Sequence, residues 1–356
     1  MRLFVYEFIT AGGLFSCGDQ PPAGSLLDEG SAMLAALCDD FAVTRNHQLS
    51  LLWDVRLTTP RPQGPDVVDT SDQASHDRAF AKAVAEADAV LLIAPELNGC
   101  LLELSRRVEQ ARGRLVSPDS EFVRLASDKL LMSKLWRAAG VPTPATWRVQ
   151  SVHELVMPPE GLYVIKPRDG AGSHQVLQVT YERLLSAIQR NLDGTTWCVQ
   201  AFHAGRPASI AAICGSDQRF WLPACWQRLG PPSFTYAGGS TVLDTDLVRR
   251  IQRIADRALD VLPPTQGYLG VDVVLGAAVD GSEDVVIEVN PRLTTSFVGV
   301  RHLVRPCLAD AMVSWGQGVP VPVAYEPTPL EFSATGEWGK PRDAVMGIDE
   351  HGMASA

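Results

Sequence analysis

The sequence has no Cys-x-x-Cys pair, although seven cysteines are scattered through its 356 residues. An odd number of distant thiols offers neither a disulfide framework nor a zinc knuckle, and a reducing compartment is expected. His-Glu-x-x-His is absent, and the seven histidines show no other close metal spacing. Gly-x-x-x-x-Gly-Lys-Ser/Thr is also missing, which excludes a P-loop. No Gly-x-Gly-x-x-Gly follows the first apolar run, which argues against a dinucleotide site. No apolar run approaches the length of a membrane span, and Glu7 comes too early for a signal-peptide core. A cytoplasmic protein, without a membrane partner, is the expectation. Positive charge is short too: 31 lysines and arginines stand against 41 acids, a net charge of -10. Non-specific binding of nucleic acid or anionic lipid calls for a basic face, so neither is expected. Any phosphate site has to be assembled locally from a few cations and backbone amides.

What is present suits a globular chain of two or three domains, with 46% hydrophobic and 20% charged residues. Strand and helix alternate in the first part. An apolar run from Leu3 to Phe8 leads into the turn Thr10-Ala11-Gly12-Gly13, and Ser25 to Phe41 has helical spacing with Ser25 as the cap. Leu51 to Val55 reads as a strand, Thr59 to Pro65 as a loop, Ser75 to Ala87 as a polar helix, and Asp88 to Glu96 as a strand with a polar exit. This alternation predicts an open α/β unit. Ligands gather beyond the carboxyl ends of such strands, so Glu7 and Thr10 are candidate substrate contacts. The same turn is equally explained by glycine's tolerance of positive φ.

The most informative stretch is Val285 to Gly299. Val286, Glu288 and Asn290 alternate with Val285, Ile287 and Val289, the period of a half-buried strand, so Glu288 and Asn290 face the same way. Pro291 ends the ladder, and the two hard oxygen ligands left side by side form a platform for Mg²⁺. Arg292 follows with a fork of donors suited to phosphate oxygens. Upstream, Asp272 is the only charge in the run Gly270 to Leu275, and a lone carboxylate there needs a partner or a metal. The bland alternative is a solvated edge strand with Arg292 paired to Glu288.

Leu162 to Pro167 is another apolar strand. It carries Lys166 at its end and faces the turn Arg168-Asp169-Gly170-Ala171-Gly172-Ser173-His174. An ammonium beside a turn whose small residues let backbone N–H groups approach is phosphate chemistry, though a hairpin with a surface lysine has the same signature. Ser127 reads as the N-cap of a helix with Asp128 in its first turn, where Lys129 is electrostatically misplaced unless an anion is near. Ser209 to Cys225 reads as a meander, Asp246 to Leu262 as an amphipathic helix, and Val300 to Trp315 as a last helix. Phe234 and Tyr236 either stack an aromatic amine or simply pack. Pro320 to Ala356 is polar and proline-bearing, and its last dozen or so residues are expected to be disordered.

Asp272 followed by Glu288-x-Asn290-Pro291-Arg292 resembles the metal-binding end of the ATP-grasp superfamily. More narrowly, Gly267-Tyr268-Leu269-Gly270-Val271-Asp272 and Glu288 to Ser296 resemble the tyramine-glutamate ligases of methanofuran biosynthesis and their relatives in bacteria that oxidise C1 compounds. The resemblance implies an α/β chain, α+β in its nucleotide part, with an ATP-grasp fold behind an N-terminal open α/β pre-ATP-grasp domain. The implied divisions are 1-117 for that first domain, 118-197 for a small subdomain with the glycine-rich loop, 198-322 for a subdomain with the metal site, and 323-356 for a polar tail. It implies ATP with Mg²⁺, or Mn²⁺ as an alternative ion, and a ligase joining a small-molecule carboxylate to an amine through an acyl phosphate.

By the same resemblance, Lys129, Lys166, Gly170, Gly172 and Ser173 hold phosphates, and Gln200 with the backbone near Phe202 and His203 meets the base. Asp272, Glu288 and Asn290 hold the metal, and Arg292 and Lys166 act on the transferred group. Tyr236, Gly238, Gly239 and Thr294, with Glu7 and Thr10, are the implied substrate contacts. The sequence departs from the pattern at Ala201, where an acid is common, and at Pro207, near the usual ribose-binding carboxylate. An enzyme with another acceptor, kinase-like or an amino-acid ligase, and a silent ATP-binding regulator remain open alternatives.

Overall fold

The computed structural model describes residues 1–149, 157–158, 160–170, 175–191, 197–230 and 233–341. Four parallel strands open the chain: β1 (Arg2–Glu7), β2 (Gln48–Asp54), β3 (Asp66–Thr70) and β4 (Ala89–Ile93), in the order β3-β2-β1-β4. Helices α1 (Ser25–Thr44), α2 (Gln73–Glu86) and α3 (Cys100–Gln110) pack on this sheet. Because both faces are covered, the inner strands are apolar throughout. Leu3 and Val5 meet Met33, Leu34 and Leu37 of α1, whereas Phe4 and Tyr6 meet Phe80 of α2 and Leu104 of α3. The strand β3 was not expected. Its Asp-Val-Val-Asp-Thr is an edge with only Thr70 buried, so it carries no apolar signal. Helix α1 is capped by Gly24 without a side-chain bond, rather than by Ser25.

Two short helices follow, α4 (Ser120–Ala126) and α5 (Lys129–Ala138). Ser127 closes α4, and Asp128, not Ser127, is the N-cap of α5. A small antiparallel sheet comes next, made of β5 (Thr146–Arg148), β6 (Leu162–Pro167), β7 (Leu177–Thr180) and β8 (Trp197–Ala201) in the order β5-β8-β6-β7. Helix α6 (Tyr181–Asn191) covers it, with Leu184 and Ile188 against Tyr163, Ile165 and Val199.

The large sheet contains β9 (Arg206–Cys214), β10 (Arg219–Trp221), β11 (Cys225–Gly230), β12 (Thr235–Thr241), β13 (Gly267–Leu275) and β14 (Val285–Asn290), in the order β14-β13-β9-β11-β12 with β10 on β9. Leu269, Val271 and Val273 of β13 pack under α7 (Thr245–Leu259), against Ile251, Ile254 and Ala258. Alternation sends Tyr268, Gly270 and Asp272 to the opposite face.

The chain then forms α8 (Phe297–Val300), β15 (Val304–Arg305) and α9 (Leu308–Gly316). The single helix expected over Val300 to Trp315 is therefore broken: β15 intervenes, and Pro306, which supplies no N–H, cannot lie inside a continuous helix. Beyond it, β16 (Ala324–Tyr325) pairs with β15, β17 (Glu331–Ser333) adds to β12, and β18 (Trp338–Gly339) adds to β17. The start of the expected polar tail is thus part of the large sheet, with Leu330 and Phe332 in the core. Residues 342–356 lie outside the described residues. Tyr268, Phe332 and Met312 share one cluster with α1 and β1, so the first domain and the large sheet are joined by a common core.

Candidate active site

A cavity of about 450 Å³ opens between the small and large sheets. Its acidic wall is the β13–β14 pair, where Asp272 stands opposite Glu288 and Gly270 opposite Asn290. The register then shifts: Val273 pairs with Val286, so Ile287 is an extra residue, a β-bulge. The strict alternation expected from the sequence is corrected here. Val286 turns into the core beneath α7 with Val289, and Ile287 lines the cavity beside Glu288. A side chain at Gly270 would place its Cβ 2.6 Å from Thr294 Cγ2, which explains the glycine there.

Asp272 accepts hydrogen bonds from Gln227 Nε2 at 2.8 Å and Asn290 Nδ2 at 3.0 Å. Burial, reinforced by the Glu288 charge, raises its pKa. Burial opposes ionisation of Glu288 too, but Lys129 and Lys166 together hold its pKa below the usual value. Two facing carboxylates and an amide make an oxygen set that suits a hard divalent cation, and the repulsion that raises Asp272 is what such an ion relieves. Asn290 now offers its NH₂ to Asp272, and half a turn about its last bond presents the oxygen instead. Among the described residues no cluster of three or more His, Cys, Asp or Glu could hold a metal, because the third oxygen here is an amide's.

The cationic wall comes from the small sheet and α5. Lys166, at the buried end of β6, donates to Gln200 Oε1 at 2.8 Å, and Gln200 Nε2 donates to Thr146 Oγ1 at 3.0 Å. Burial lowers the Lys166 pKa. Gln200, expected at the edge of a base, therefore has its amide engaged with the lysine. Lys129 donates to the Gly170 carbonyl and lies 3.3 Å from Glu288 Oε2. Its burial disfavours the charge, but Glu288 and Glu96 outweigh that and raise its pKa. Asp128 caps α5 by accepting from Leu131 N at 3.0 Å and also pairs with Arg168, while Lys129 N donates to Arg168 O at 3.1 Å. The start of α5 and the loop after β6 are thus pinned together. Gly170 lines the cavity, whereas Gly172 and Ser173 lie outside the described residues.

Val164, Phe202, Val274 and Ile287 give the cavity an apolar slot, with Pro207 in its lining. His203 lies there as well, with Nε2 2.8 Å from Glu283 O.

Arg292 does not pair with Glu288. Its Nε lies 3.1 Å from both carboxylate oxygens of Glu96, beyond the carboxyl end of β4, and both side chains are nearly sealed from solvent. Near it, Glu29 of α1 accepts from Thr295 Oγ1 at 2.6 Å, and burial raises its pKa against that bond and the Arg292 charge. Tyr268 and Thr294 hydroxyls are 3.0 Å apart, as are those of Thr294 and Ser296. Glu29, Glu96, Gln227, Tyr268 and Thr295 were given no site role by the sequence, although Tyr268 and Thr295 stand in the strings that carry the resemblance and Glu96 in the polar exit of β4. The rule that ligands gather beyond strand ends applied to Glu96 as well as to Glu7.

Four expected substrate contacts are not brought to the cavity, whereas Tyr236 and Thr294 are. Glu7 is buried beneath α1, accepting from Ile9 N at 3.2 Å and Thr10 N at 2.7 Å, and burial pushes its pKa up to about 7. A Cβ on Gly30 would come within 2.5 Å of Glu7 Oε1, so the helix closes directly over the acid, and Thr10 is fully buried beside it. Gly238 and Gly239 let strands approach: their Cβ atoms would lie 2.1 Å from Phe332 O and 2.5 Å from Trp226 O.

Comparison with known proteins gives two domain matches: the ATP-grasp domain over residues 126–296 and the pre ATP-grasp 3 domain over residues 47–123. Tyramine–L-glutamate ligases of Methanocaldococcus fervens and Methanocaldococcus jannaschii are each 26% identical over 226 residues, 64% of this chain. The matched stretch spans 65% and 62% of those relatives, less than two thirds of their length. A solved structure from Archaeoglobus fulgidus assigned to the ATP-grasp superfamily superposes with a TM-score of 0.66 at 22% identity, covering 94% of this chain and 92% of that one. At that identity the likeness speaks for the fold.

Proposed function

Because this chain carries an ATP-grasp domain behind a pre-ATP-grasp domain, we propose that it is an ATP-dependent ligase joining a carboxylate to an amine through an acyl phosphate. The observation that carries this reading is one cavity with Lys129, Lys166 and Arg292 set against Asp272, Glu288 and Asn290. Phosphoryl transfer is mainly a problem of alignment and charge neutralisation, and this wall arrangement supplies both without a protein nucleophile. A carboxylate oxygen of the substrate attacks the γ-phosphorus of ATP as the bond to the departing ADP oxygen breaks. The amine nitrogen then attacks the acyl carbon, the bond to phosphate breaks, and the amine loses a proton.

Lys129 and Lys166 hold the phosphates beside Gly170, and Gly172 and Ser173, outside the described residues, belong to the same proposed set. Gln200 fixes the Lys166 ammonium in direction, and Thr146 fixes Gln200. The purine lies in the apolar slot, with the backbone around Phe202 and His203 at its edge. Asp272, Glu288 and Asn290 would hold Mg²⁺, which supplies charge neutralisation at the phosphate oxygens. Arg292, kept in place by Glu96, faces the transferred group and the acyl phosphate oxygen. The glutamate γ-carboxylate and tyramine, in a methanofuran-type pathway in the cytoplasm, are the substrates we favour, on the relatives' activity and on Tyr236 and Thr294 in the cavity lining.

An ADP-release screen over carboxylates and amines tests the reading. Release should require both substrates, and Lys166→Ala and Glu288→Gln should each lower kcat/KM by more than about 100-fold, in line with loss of a preorganised charge. Release without an amine would point to a kinase, and variants as active as the parent would sink the site assignment.

A further inference from the structure

Three carboxylates line the cavity, and they are not equally provided for. Glu288 faces Lys129, and Asp272 takes hydrogen bonds from two amides. Glu29 belongs to neither set. It comes from α1 of the first domain, is 8% exposed, and takes a single hydrogen bond, from Thr295 to Oε2. Its Oε1 has no hydrogen-bond partner among the described residues, yet it is not among the sealed, unpartnered atoms, so it is open to the cavity. The nearby guanidinium of Arg292 is committed through Nε to Glu96. The hydroxyl of Tyr236, another lining residue, is likewise without a partner among the described residues and likewise not sealed. Beside them Tyr268, Thr294 and Ser296 satisfy one another.

A buried carboxylate with an open oxygen and no cation of its own is costly unless something that enters the cavity completes it. The chemical complement is a compact cation with several donors. A primary ammonium has three N–H groups, enough for a carboxylate oxygen and hydroxyls around it. We propose that Glu29 anchors a primary ammonium group of the substrate, with the Tyr236 hydroxyl as a second acceptor. The raised pKa of Glu29 agrees, since burial outweighs both the Thr295 hydrogen bond and the charge of Arg292. The ligase reading bears only on which substrate carries the ammonium: the amino acid whose carboxylate is activated, or the attacking amine.

Calorimetric binding to the full chain separates these sources. L-glutamate is compared with glutarate, tyramine with 4-ethylphenol, and other amino acids and primary amines with their deaminated counterparts. The parent protein should bind at least one ammonium compound about 10-fold or more tighter than its counterpart, the scale of a charge-assisted hydrogen bond. Glu29→Gln should shrink that preference to within about twofold, while Glu29→Asp keeps part of it, which a purely structural carboxylate would not reproduce. A preference unchanged in Glu29→Gln, or no ammonium preference in the parent across the panel, overturns the proposal. A preference that depends on Glu29 in a protein that releases no ADP would uphold the subsite and sink the ligase reading.

Discussion

Glu7 is an acid held by two backbone amides with no cation beside it among the described residues, and its burial has a consequence for stability. Its pKa in the folded protein is pushed from 4.5 to about 7. Between those values the folded state binds more protons than the unfolded chain, so stability must fall as pH rises from 4.5 towards 7. The contribution lost is about 3 kcal/mol at most. Glu7→Gln cannot ionise. Urea midpoints measured from pH 5 to pH 8 should show the variant gaining on the parent protein as pH rises, and a constant difference would refute the assignment. At this scale a charge was legible in the sequence where its neighbours were apolar. Asp272, Glu288 and Lys166 interrupt strand-like runs, and each does line the cavity. Glu29 follows Asp28 on an ordinary helix, and Glu96 reads as a polar strand exit. Only the packing of α1 and β4 against the large sheet separates these two from surface acids.

The elements that aim the site depend on one residue each. Without the extra Ile287, alternation would carry Val286 to the cavity, and no sequence period announces a bulge because the pairing partner decides where the register slips. Regular strands and amphipathic helices such as α7 were legible because their period repeats. The edge strand β3 and the two-residue or three-residue strands after α9 are too short or too polar to show one. Asp128 is the single residue that fixes the start of α5, and it also holds Arg168 on the loop after β6. Asp128→Ala removes the cap at a cost of about 1–2 kcal/mol. Its larger effect should be on the nucleotide, since Lys129 and the Gly170 carbonyl lose their common anchor. A steady-state comparison should show the KM for ATP rising more than kcat falls, and an unchanged KM would remove α5 from the phosphate site.

For the whole molecule, three parts of the chain meet at the cavity, and the proposed metal set carries a repulsion of its own. Asp272 and Glu288 stand opposite each other on neighbouring strands, where the Glu288 charge adds to burial in raising the Asp272 pKa, and Lys129 pairs only with Glu288. On the proposed reading such a site costs stability that a cation and nucleotide would restore, a balance common where function and stability compete. A ligand that binds only the folded state adds about 2.7 kcal/mol at 100 times its Kd. ATP with Mg²⁺ should raise the urea midpoint accordingly, and EDTA should withdraw most of the gain. Asp272→Asn separates the two sides of the balance: it ends the repulsion, keeps the Lys129 to Glu288 pair, and can still accept from Gln227. The variant should be at least as stable as the parent protein without ligand, and should gain much less from Mg²⁺ and ATP. Were it instead less stable alone and equally stabilised by the pair of ligands, Asp272 would be a structural acid and the cation would sit elsewhere.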